Sequence, residues 1–176
     1  MSADPGPGYP RSPVPTRCGV VAHRGASAEF PELTRIAYEK AAEQGAEAFE
    51  LDVRLTADGT PVLLHDKRTT RVADRDLRVH ASTLDEVRRL DVGSWHPVHQ
   101  RPEPVLTLRE FLEMAEAYPH VRLFIETKHP VPGGGRIEVA LRDELARFGW
   151  DRPARPSGSR AVMMSFSVTA VRRFQI

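Results

Sequence analysis

The sequence is short of several things, and each shortage excludes something. It has one cysteine, Cys18, in 176 residues. It can therefore form no internal disulfide, and nothing in it points to an oxidising compartment. No stretch approaches the roughly 20 consecutive apolar residues that span a bilayer. Neither sign of charge is in surplus: 25 Lys+Arg stand against 24 Asp+Glu, a formal net charge of +1. Such a balance argues against a bulk electrostatic partner such as nucleic acid or an anionic membrane, which leaves a basic surplus. There is no internal repeat. The opening run MSADPGPGYPRSPVPT has no apolar signal-peptide core. Its Pro, Gly and Ser content predicts a disordered tail over 1–16, with a cytoplasmic location as the default expectation. What remains, 17–176, has the length of one globular domain.

What is present is a regular alternation. CGVVAH (18–23), AEAFELDV (46–53), PVLLH (61–65), VRLFIET (121–127) and AVMMSF (161–166) read as strands. Between them, 32–44 carries Leu33, Ile36, Ala37 and Ala41 at helical spacing and stops at Gly45. Thr83 with Glu86, and Thr107 with Glu110, are capping-box signatures for two further helices. RIEVALRDELARF (136–148) is amphipathic and ends at Gly149, and 151–159 reads as a long loop. VTAVRRFQI begins a last helix. Strands alternating with helices imply right-handed crossovers and a parallel α/β sheet. Eight such units close a TIM-type barrel in about 200–250 residues. With about five units, the chain is expected to be either an open sheet or part of such a barrel.

Strands of parallel sheets are normally continuous apolar runs, because both faces are covered. Here the strands turn polar at their C-terminal ends. Glu50 and Asp52 share one face of the second strand, while Phe49, Leu51 and Val53 take the other. Glu126 and Lys128 share a face of the fourth, and His23 and His65 end the first and third. Buried carboxylates need a cation. Three of them without cysteine suit a hard divalent ion, Mg²⁺ or Ca²⁺, rather than Zn²⁺. Taken singly, each pair reads equally well as an edge strand, a salt bridge or a structural histidine; the coincidence at four strand ends is what points to a site. Other groups read as structural: His96 and His99 around Pro97, His80, His120 and His129 on loops, and Arg68, Arg71, Arg75, Arg78, Arg88 and Arg89 on solvated faces. Cys18 reads as an inert strand residue.

The runs HRGASAEFPELT (23–34), FELDVRLTADGTPVLLHD (49–66) and IETK (125–128) resemble the glycerophosphodiester phosphodiesterases, whose pattern is HRG, a PEN-T loop, E-x-D-V, a T-x-D-G turn, V-x-x-HD and a later E-x-K. The resemblance implies a TIM-type barrel with Glu50, Asp52 and Glu126 as ligands of one divalent cation. It implies His23 and His65 as the general acid/base pair, Arg24 and Lys128 as phosphate-holding groups, and Glu32 as a supporting acid. The implied reaction cleaves a glycerophosphodiester into glycerol 3-phosphate and an alcohol: the substrate's own glycerol hydroxyl is the nucleophile, giving a cyclic phosphate that water then opens. Two features depart from the pattern. Leu33 stands where the family has Asn, which is expected to loosen the loop or alter specificity. The chain is also shorter than the about 240–260 residues of a full barrel in this family. Two alternatives remain. One is a phospholipase D-like relative acting on lipid headgroups; the other is an inactive truncated fragment or binding module, because an open barrel leaves strand edges unpaired.

Overall fold

The computed structural model describes residues 19–131, 133–151 and 159–174. The expected tail over 1–16, Cys18 and most of the 151–159 loop lie outside the described residues.

Five strands form one sheet: β1 (Val21–His23), β2 (Ala48–Leu55), β3 (Pro61–Leu63), β4 (Arg122–Thr127) and β5 (Ala161–Met164). The helices are α1 (Arg35–Glu43), α2 (Leu84–Val87), α3 (Leu108–Ala115), α4 (Arg136–Arg147) and α5 (Val168–Phe174). Strands β1, β2, β4 and β5 lie side by side in that order, all parallel. The third strand corrects the expectation. β3 pairs antiparallel with β2, placing Val53 opposite Leu63 and Leu55 opposite Pro61. The physical reason is the length of the connection. A parallel crossover needs a dozen or more residues, and only 56–60 separate the two strands. That turn is closed by Thr56, whose Oγ1 accepts from Thr60 N at 2.9 Å, and by Gly59 at φ +85°. β3 is thus a hairpin arm, and His65 lies just beyond it rather than at a barrel strand end.

Both capping boxes form: Thr83 with Glu86 opens α2, and Thr107 with Glu110 opens α3. Thr34 caps α1, accepting from Ala37 N. Phe49, Leu51 and Val53 of β2 and Leu123 and Ile125 of β4 are fully buried beneath the helices. There Tyr38, Phe49 and Phe111 pack edge-on or tilted, with Tyr38 and Phe111 4.7 Å apart. Ile137, Leu141 and Leu145 of α4 join the same core. A second apolar cluster, including Val62, Leu64, Val87 and Val105, fills the space between β3 and the residues after it. The tertiary scaffold therefore grips the odd-numbered residues of β2 and leaves its even-numbered face for polar groups.

Candidate active site

Sheet register builds the site. Parallel pairing sets His23 beside Glu50 and Asp52 beside Glu126. The carboxylates of Glu50, Asp52 and Glu126 supply oxygens that all lie within 4.8 Å of one another. Among the described residues they are the one group of three that can hold a metal ion. Asp52 is fully buried and Glu50 nearly so.

Two cations face them. Arg24 Nε is 2.9 Å from Asp52 Oδ2. Lys128 Nζ is 2.9 Å from Asp52 Oδ1 and 2.8 Å from Glu126 Oε1. Neither Asp52 contact is aligned as a hydrogen bond, so both buried Asp52 oxygens keep unmatched lone pairs. Unmatched buried oxygens on Asp52, with two more carboxylates converging beside it, are what a hard divalent cation requires, and the residues present fit one. Burial, and after it the neighbouring Asp52 charge, push Glu50 up to about 7, while the Arg24 N–H pulls the other way. Three acids crowded here are short of positive charge.

The backbone after β1 is bent to present Arg24. Arg24 itself has φ +60° and Gly25 φ +81°. Arg24 N donates to both Glu50 O and Glu50 Oε2 at 3.1 Å. Leu33, the departure from the family pattern, also has φ +61°, a conformation that suits Asn better than Leu. The loop is not loosened, however: Leu33 is buried in the core, and its N–H donates to Arg24 O at 3.0 Å.

The two histidines are placed differently. His23 is largely exposed, with Nε2 3.8 Å from Glu50 Oε2. His65 is half-buried, and its Nδ1 lies 2.7 Å from Asp66 Oδ1. Burial alone would raise the Asp66 pKa, but hydrogen bonds from His65 and Arg71 outweigh it and hold the carboxyl below its ordinary value. An ionised Asp66 can only accept, so Nδ1 carries the proton and Nε2 is the free nitrogen. His65 lines a cavity of ≈ 740 Å³ together with Glu126 and Lys128.

Three functional residues lie outside the sequence expectation. Arg54 continues the Glu50–Asp52 face of β2 and donates from Nε and Nη2 to His65 O at 2.8 and 2.6 Å. The period-two spacing of 50, 52 and 54 could have found it. Asp66 adjoins His65 in sequence. Arg71, expected on a solvated face, is indeed exposed, but it also holds both oxygens of Glu32 at 2.8 and 2.7 Å and Asp66 Oδ2 at 2.7 Å. No local signal could have found Arg71, because Glu32 is 39 residues away. Glu32 in turn meets Arg24 at 3.3 Å. The result is one chain of contacts, Asp52–Arg24–Glu32–Arg71–Asp66–His65, joining the acidic pocket to the second histidine. His129, expected on a loop surface, is mostly buried, with Nε2 2.9 Å from Oε1 of buried Glu138.

This clamp has a pH signature. Burial would raise the Glu32 pKa, but the Arg71 hydrogen bond and charge, aided by Arg24, bring it below its ordinary value. With Glu32 and Asp66 both lowered, their contribution to stability is complete above the ordinary carboxylate range. It is lost as pH falls through the lowered values. Arg71→Ala is expected to move both titrations upward in a carboxyl ¹³C NMR titration. Unmoved titrations would mean that Arg71 does not hold these acids.

The fold and site together define an α/β barrel protein with a buried acidic pocket at its strand ends, flanked by histidine. The chain belongs to the glycerophosphoryl diester phosphodiesterase family, whose model matches residues 23–176. It is 44% identical over 163 residues to a probable glycerophosphodiester phosphodiesterase 1 of Mycobacterium tuberculosis (strain ATCC 25618 / H37Rv), covering 89% of this chain and 59% of that protein. Among solved structures, a glycerophosphodiester phosphodiesterase from Agrobacterium tumefaciens superposes with TM-score 0.76 at 27% identity, covering 90% of this chain and 62% of that one. A phosphodiesterase of Oleispira antarctica, solved with the product sn-glycerol-3-phosphate, gives TM-score 0.75 at 30% identity over 88% and 60%. The chain thus spans about three fifths of the length of these relatives. The neighbours bear out the expected α/β barrel class. No helix among the described residues is long and apolar enough to cross a membrane.

Proposed function

We propose that the protein hydrolyses glycerophosphodiesters to glycerol 3-phosphate and an alcohol, using one divalent cation, Mg²⁺ or Ca²⁺. The observation that carries this reading is the meeting of Glu50, Asp52 and Glu126 within 4.8 Å between Arg24 and Lys128. Family membership and the product-bound phosphodiesterase relative support the substrate class.

Glu50, Asp52 and Glu126 would hold the cation. A divalent ion supplies Lewis-acid neutralisation of a phosphodiester's charge. Arg24 and Lys128 add two fixed cations that position the phosphate and stabilise the negative charge that grows in the transition state. Their present partners are site carboxylates, so they are already oriented into the pocket. His23 and His65 form the proton-transfer pair: one takes a proton from the attacking hydroxyl, the other gives one to the leaving oxygen. Imidazole suits both, because its unperturbed pKa of about 6.5 lies near working pH. Asp66 and Arg54 fix the ring and backbone of His65. Glu32 is a positioning residue, acting through Arg24 and Arg71.

The test is glycerol 3-phosphate release by the complete natural protein from a panel of glycerophosphodiesters, with and without chelator. His65→Asn is expected to slow turnover by about 10²–10⁴. Turnover that survives chelation, or no release from any glycerophosphodiester, would overturn the reading.

A further inference from the structure

Beside the 740 Å³ cavity lies a second pocket of ≈ 310 Å³. The two share Arg54, Lys67 and Pro130, so the second opens from the His65 side of the site. Its wall is apolar, through Val79, Pro130 and Val131, and its polar groups are Arg54, Lys67 and His80. A small extension of ≈ 30 Å³ continues past His80 to Arg136. Among the described residues, no carboxylate and no Phe, Tyr or Trp lines either space.

Cations with an acidic partner and cations without one both occur among the described residues. Arg24, Arg68, Arg71, Arg75, Arg88 and Arg109 each have an acidic partner. Among the described residues, Lys67, His80 and Arg136 have none. The acids of the adjoining cavity lie against other cations, Asp66 against Arg71 and Glu126 against Lys128. A phosphodiester held by Arg24 and Lys128 leaves Lys67, His80 and Arg136 unused.

Building on the hydrolase reading, we propose that this second pocket is the leaving-alcohol subsite and that it selects an alcohol bearing negative charge. A quaternary ammonium such as choline needs aromatic faces or carboxylates, and this pocket offers neither. An anionic group meets the unpaired Lys67 and Arg136 over an apolar wall, with the His80 ring as a further N–H donor. Because Lys67 and Arg136 are exposed, their pull is screened by salt.

The probes are bis(glycerophospho)glycerol, whose leaving alcohol carries a second phosphodiester, and glycerophosphocholine. With the complete natural protein and Mg²⁺, kcat/KM is expected to favour the former by about tenfold or more at low salt, narrowing as salt rises. Lys67→Glu is expected to cut kcat/KM for the anionic substrate about tenfold and to spare or raise it for the choline ester. A wild-type ratio at or below one, or an equal loss on both substrates in the variant, overturns the subsite while leaving the hydrolase reading intact. Turnover of neither diester overturns the hydrolase reading. The subsite is then decided by NMR binding of the free alcohols: glycerophosphoglycerol must bind more tightly than choline, and equal or reversed binding refutes it.

Discussion

Asp52→Asn is expected to lower turnover of the complete, metal-supplemented protein by about 10²–10³ or more, the scale of losing one preorganised electrostatic group. Asp52 is fully buried, meets both Arg24 and Lys128 at 2.9 Å, and pairs in register with Glu126. The amide would lose one hard anionic donor and both ion pairs while keeping the side-chain shape. A second readout separates the cation site from general damage. Divalent cation should raise the Tm of the parent, because a ligand bound only by the folded state stabilises it. It should raise that of Asp52→Asn much less. A variant with parental turnover and a parental metal-induced rise in Tm would remove the acidic pocket from the mechanism.

Gly25→Ala carries the largest expected effect on the fold. Gly25 has φ +81°, and a Cβ there would sit 2.7 Å from Ala37 C and 2.9 Å from Ala37 O. Those are backbone atoms of α1 and cannot rotate away. The left-handed conformation costs about 1–2 kcal/mol for a residue with a Cβ, and forcing a methyl into packed backbone adds about 1–3 kcal/mol. For a chain of this size the sum corresponds to a fall in Tm of roughly 5–20 °C. The damage also reaches the site. Arg24 precedes this glycine, and its N–H holds both the backbone and the carboxylate of Glu50. Thermal denaturation checks the first effect; metal affinity checks the second. An unshifted Tm would mean that α1 tolerates displacement at Ala37 and that the loop is not wedged as the structure has it.

Much of the site is legible in the sequence because strand periodicity is local. Glu50, Asp52 and Arg54 alternate with apolar residues along β2, and Glu126 with Lys128 does the same at the end of β4. The capping boxes at Thr83 and Thr107 are equally local, three residues of hydrogen bonding each. The direction of β3 is different. PVLLH reads as a strand whichever way it runs, and only the length of the preceding turn carries the antiparallel answer. Leu33 shows a second limit: a lost amide reads as a loosened loop, yet burial of its side chain keeps the loop tied to Arg24.

By itself the sequence determined which side chains stand on the polar face of each strand, because a two-residue period needs only neighbours along the chain. Only the tertiary structure decided which of them meet. Sheet register set Asp52 against Glu126, and the folding of 64–106 across the β1–α1 loop delivered Arg71 to Glu32 and Asp66. Those encounters depend on how distant segments pack, and a Coulomb contact at 3 Å leaves no trace in the spacing of residues along the chain.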